Sequence, residues 1–78
     1  MHSFQISIHS FQQVRDFVAL AMVQPFDVLV GNDRQQVNGK NFMGMSSLDF
    51  QRPLLVQVRC DENSYQRFRQ QTIRLFAS

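Results

Sequence analysis

The chain has 78 residues, enough for one domain and too few for two, and a domain of this size buries only roughly 60% of the surface its unfolded chain exposes. Hydrophobic residues make up 44% of it and charged residues 18%, which excludes a charge-rich disordered protein and predicts a single self-folding domain over residues 1–78. A net charge of +2 is too small to argue for nucleic acid, the single Cys60 cannot close an internal disulfide, and the start of the chain shows neither a long apolar run nor a basic leader, so no signal peptide or membrane span is expected and the cytosol is the expected compartment.

Phe4, Ile6 and Ile8 alternate with Gln5, Ser7 and His9, the period-two pattern of a half-buried strand, with His9 on the polar side. Ser10 is followed three residues later by Gln13, a capping-box signature. Phe11, Val14, Phe17, Val18, Ala21 and Met22 then recur at helical spacing until Pro25 forbids continuation, which predicts a helix from about Phe11 to Val23 with one apolar stripe. Phe26, Val28 and Val30 alternate again, Gly31-Asn32-Asp33 is a turn signal, and Gln35 to Asn38 can return as a short strand; together they read as a hairpin. Asn41 to Leu48 lacks strand alternation but sets Met45 and Leu48 a turn apart from Phe42, one or two turns of helix weakened by Gly44.

Pro53 opens a run in which Leu54, Val56, Val58 and Cys60 face one way and Leu55, Gln57 and Arg59 the other. Asp61 then caps a last helix carrying Tyr65, Phe68, Thr72 and Leu75 on one side. The order is βαββαβα. The economical way to bury this pattern is an α+β open-faced β-sandwich, a four-stranded antiparallel sheet with three helices on one face and the other face polar. Five of the eight basic residues (Arg52, Arg59, Arg67, Arg69, Arg74) lie in the last third of the chain. Asp61 and Glu62 precede the helical arginines, so the skew reads first as complementing the helix dipole and second as a surface for an acidic partner.

Little in the sequence points to an enzyme. The two His and one Cys are not at metal-ligand spacing, and there is no Gly-rich phosphate loop, paired-carboxylate pattern or triad, so neither metal nor cofactor is expected. Cys60 ends an apolar strand face and reads as a small buried hydrophobe rather than a reactive thiol. The expected outer sheet face, with Gln5, Ser7, Leu55, Gln57 and Arg59, offers no aromatic pair on which bases could stack, which argues against RNA.

The order of elements and several strings resemble the HPr family of phosphocarrier proteins over nearly the whole chain. Val37-Asn38, Lys40-Asn41-Phe42-Met43-Gly44 and Ser47-Leu48 are similar to that family's Val-Asn-X-Lys-Ser-Ile-Met-Gly-Val-Met-Ser-Leu. Asp27-Val28 and Asp61-Glu62-Asn63 fit in the same register. The resemblance implies a bacterial, cytosolic protein of the sugar phosphotransferase system with an HPr-like fold. Members of the family carry phosphate on a histidine in Gly-(Leu/Ile)-His-Ala-Arg-Pro-Ala at the start of the first helix, where helix N–H groups and an arginine stabilise the phosphoryl oxygens.

That motif is missing here. The ungapped register puts Ser10 at the histidine position, with Phe11, Gln12 and Gln13 where Ala, Arg and Pro belong; aligning Arg15 with the motif arginine puts Gln13 there instead. The serine that a kinase phosphorylates in some members corresponds to Asn41, which has no hydroxyl. The family's partners dock around the first helix and the short second one, which corresponds here to Phe11, Gln12, Phe42, Met43 and Ser46. The expectation is therefore a non-catalytic binding or regulatory module for a protein partner, a phosphotransferase-system enzyme or a transcription regulator. The alternative is a working phosphocarrier in which His9, one residue before the helix cap, serves as a displaced acceptor.

Overall fold

The computed structural model describes residues 1–77. Its elements follow the expected order: β1 (His2–Ile6), α1 (Phe11–Met22), β2 (Val28–Gly31), β3 (Gln36–Asn38), α2 (Phe42–Ser46), β4 (Leu54–Val58) and α3 (Glu62–Ala77). The strands form one antiparallel sheet in the spatial order β1-β4-β2-β3. β4, the last strand in sequence, lies between β1 and β2, with Phe4 and Val30 both opposite Val56. Such a central strand must be apolar on its inner face, and Leu54, Val56 and Val58 are all buried.

The helices lie on one face of this sheet. The inner stripe of α1 is Val14, Phe17, Val18 and Ala21, all buried. Phe11 and Met22, on the stripe by spacing, are instead exposed. They occupy the terminal turns, outside the stretch from Val14 to Ala21 that the core fills. In α3, Phe68 and Thr72 are buried as expected, while Tyr65 and Leu75 are partly covered. The Thr72 hydroxyl donates to the Phe68 carbonyl at 2.8 Å, so this buried polar group is satisfied by the turn before it.

Phe68 is the hub of the core. Its ring lies 5.9 Å from that of Phe4, 6.0 Å from Phe17 and 5.7 Å from Phe26, in tilted or edge-on geometry, so it joins β1, α1, α3 and the segment entering β2. Tyr65 ties α3 to the outermost strand, donating its hydroxyl to the Ser3 carbonyl at 3.1 Å while its ring stacks on His2. An edge carbonyl that already has a partner is less open to a foreign strand.

Two local features set the chain's turns. A Cβ at Gly31 would overlap the Gln35 carbonyl oxygen, so only glycine allows the β2–β3 turn to close with its Asn32 N–H to Gln35 carbonyl bond of 2.9 Å. Asp61 precedes α3, and its carboxylate is held below the usual carboxylate range chiefly by the Ser64 hydroxyl, the reach of an N-cap to the third helical residue. Cys60 is partly buried beside the core; burial pushes its thiol upward, reinforced by Asp61, which lowers its thiolate content.

Candidate functional site

The start of α1 is built around a cap. Ser10 is extended, with φ −158° and ψ 161°, and its Oγ accepts from the Gln13 N–H at 3.2 Å. Gln13 reaches back, its Oε1 accepting from the His9 N–H at 2.7 Å. This is the expected capping box displaced by one residue, since the returned bond goes to the residue before the cap. Gln12 points away from it and donates to Asp16 Oδ1 at 3.0 Å, an i,i+4 pair on the exposed helix face. Neither candidate histidine position, Ser10 or Gln13, brings an imidazole to the helix N-terminus.

His9 is exposed. It lines a shallow groove of about 350 Å³ between β1 and the last turns of α3, together with Phe4, Ser7, Ile73 and Phe76. Among the described residues lining this groove there is no Lys or Arg that could stabilise a phosphoryl group.

α2 is short and sorts its side chains sharply. Asn41 is extended, with φ −111° and ψ 111°, and its Oδ1 accepts from the N–H groups of Met43 at 2.9 Å and Gly44 at 3.3 Å, so its amide does the capping work. Met45 and Leu48 are buried in the core. Phe42 and Met43 turn outward, with 40% and 78% of their surface exposed, and Phe11 on α1 is 61% exposed. α1 and α2 pack beside each other, and two contacts set their ends. Lys40 Nζ donates to the Gln24 carbonyl at 2.8 Å where α1 has finished and α2 begins. Phe11 meets Phe50 edge-on at 5.3 Å, where α1 begins and the chain has left α2.

Ser46 requires a correction. Expected on the docking surface, it is only partly exposed and its hydroxyl oxygen is buried without a hydrogen-bond partner. Its hydroxyl is therefore closed to a partner. Removing this unpaired oxygen with Ser46→Ala should stabilise the protein by about 1 kcal/mol and raise Tm by about 4–8 °C. A lower melting temperature in thermal denaturation would mean that the hydroxyl has a partner in solution.

The sequence reading did not place the partly buried Phe50, nor the exposure of Met22 and Val23. Phe50 sits alone in a loop with no periodicity to place it, and only the packing reveals its contact with Phe11. Met22 and Val23 end α1 and stand open to solvent; the signal for them was the helix stop at Pro25, just before which the apolar stripe ceases. Among the described residues, no three His, Cys, Asp or Glu side chains are grouped as a metal site requires, and no helix is long and apolar enough to cross a membrane.

With this geometry established, comparison with solved structures finds the same architecture in the crystal structure of HPr-C-His from Thermoanaerobacter tengcongensis. The two superpose with a TM-score of 0.77 over 100% of this chain and 98% of that chain, at 22% sequence identity. The fold is that of HPr. At this identity the likeness establishes the fold alone. No protein-family model matches the sequence, and no curated protein matches it either. In this chain the starts of α1 and α2 each hold a helix cap, Ser10 and Asn41.

Proposed function

We propose that this chain is a non-catalytic, HPr-like protein-binding or regulatory module that engages a cytosolic phosphotransferase-system enzyme or transcription regulator through Phe11, Gln12, Phe42 and Met43. The observation that carries this reading is the outward placement of Phe42 and Met43 on a helix whose Met45 and Leu48 are buried. Apolar side chains that could have been polar without loss to the core are more economically explained by a partner than by folding, and a flexible Met beside an aromatic suits a protein surface. The chemistry of phosphate transfer has no equivalent support. At the start of α1 the Ser10 hydroxyl accepts a helix N–H and has no adjacent base to make it a nucleophile. At the start of α2, Asn41 offers an amide where a kinase would need a hydroxyl.

The test is to incubate the purified chain with phosphoenolpyruvate and the general phosphotransferase enzyme that charges HPr, reading intact mass and phosphorus NMR, with His9→Ala alongside. The expected result is no added phosphate while a true HPr is charged in parallel. An acid-labile phosphate present on the chain and missing from His9→Ala would overturn the reading and make this a phosphocarrier that uses a displaced histidine.

A further inference from the structure

The arginines of α3 do not behave as dipole complements alone. Arg74 lies in the last turn of the helix, where a cation interacts favourably with the C-terminal carbonyls, but that effect fades within one turn. Arg67 and Arg69 stand too far back to share it. From Asn63 to Ala77 the helix contains these three arginines and no acid. Glu62, in its first turn, is already engaged, accepting from Gln66 Nε2 at 3.0 Å and lying 3.5 Å from His2 Nδ1. Among the described residues, no carboxylate lies within ion-pair distance of Arg67, Arg69 or Arg74, and the one acid that senses Arg67, Asp61, is held by the Ser64 hydroxyl at the start of the helix.

Arg67 and Arg74 share one helix face. Seven residues apart, they are about two turns and about 10.5 Å apart along the axis, and with Gln66, Gln70 and Gln71 they line a shallow trough of about 400 Å³. Arg67 and Gln71 also line a second notch of about 340 Å³, closed on its other side by the α1–β2 connection with Val23, Pro25 and Phe26. Val23 is 75% exposed. The surface thus sets guanidinium and amide donors beside an open apolar edge, away from the start of α1. The nearest acid of that connection, Asp27, lines a different cleft with Leu29 and Arg59.

We infer that this surface is a docking site for an acidic, extended segment of a protein partner, with carboxylates on Arg67 and Arg74 and an apolar side chain against Val23 and Pro25. A segment extended as polyproline II rises about 3.1 Å per residue and returns to the same face every third residue, so carboxylates three residues apart lie about 9.3 Å apart on one face, close to the spacing of the two arginines. Arginine forks with flanking amides suit planar carboxylates. A nucleic acid is the poorer fit, because the trough has no aromatic ring on which a base could stack.

The test uses a short acetylated peptide of the repeat Glu-Ser-Val, the same peptide with Gln for Glu, and oligouridylate, each titrated into the intact chain and followed by amide shifts in nitrogen–proton correlation spectra. The acidic peptide should shift residues around Arg67, Gln71 and Arg74 and from Val23 to Phe26, with affinity that falls as salt is added. Arg67→Gln should weaken it about threefold, and Arg67→Gln with Arg74→Gln about tenfold. Both side chains are peripheral, so unchanged circular dichroism of the variants separates lost binding from lost fold. Equal binding of the Gln peptide, shifts confined to another face, undiminished affinity in the double variant, no binding at millimolar peptide, or tighter binding of oligouridylate would each overturn the inference.

Discussion

Phe68→Ala should destabilise the protein by about 3–5 kcal/mol, the cost of removing a fully buried aromatic side chain and leaving a cavity that its neighbours fill only in part. The neighbours are unusually exacting here. Phe68 is fully buried, and the rings it touches belong to Phe4, Phe17 and Phe26, so closing the gap requires β1, α1 and the segment before β2 to move together. Domains of this kind have about 5–15 kcal/mol of stability in all, and a small one has little to spare. A loss of 3 kcal/mol should lower Tm by more than about 12 °C. Urea denaturation with an unchanged slope provides the check; a loss below about 1.5 kcal/mol would show that the aromatic cluster collapses onto the vacated space.

Phe42→Asp should have the opposite profile, leaving the fold intact and abolishing capture of the partner. Phe42 opens α2, is partly exposed and lies outside the buried core. The helix has no acid in its first turn, so a carboxylate there meets the positive end of the helix dipole and offsets part of the lost apolar contact. At a protein interface the same change puts a charge where an aromatic anchor is buried, and such anchors are commonly worth 2 kcal/mol or more, about thirtyfold or greater in affinity. Affinity capture with the unaltered chain, Phe42→Asp and the Arg67→Gln with Arg74→Gln pair in parallel distinguishes the two surfaces. Undiminished capture by Phe42→Asp, with its melting temperature preserved, would remove α2 from the docking surface.

How far the sequence could be read depended on how local the deciding physics was. Alternation at Phe4-Ile6-Ile8 and at Leu54-Val56-Val58, the capping pattern of Ser10 with Gln13, and the stop at Pro25 all act through neighbours within a few residues. Most elements appeared within one or two residues of their expected place, whereas the first strand, expected from Phe4 to His9, runs from His2 to Ile6 and leaves Ile8 and His9 beyond its end. Absence of the HPr histidine motif is likewise a matter of the residues themselves, and no arrangement of the chain can supply an imidazole at Ser10 or a hydroxyl at Asn41.

Exposure could not be settled that way. Phe11, Val14, Phe17 and Met22 belong to one apolar pattern, yet only the two in the middle are buried; where a stripe ceases to have a neighbour depends on where other elements end. The same holds for α2, where Phe42 and Met45 are a single turn apart and only Met45 enters the core, and for Ser46, whose hydroxyl is enclosed although serine is ordinarily a surface residue. Phe50 found Phe11 through a contact between positions 39 residues apart, and the α1–β2 connection reached α3 beside Arg67 through the packing of two helices. Local sequence therefore determined which elements form and which side chain stands at each helix start, because propensity, capping and side-chain identity are properties of short segments. Tertiary structure alone decided which apolar groups stand open to solvent and which charges stand together, because burial depends on what the rest of the chain brings alongside.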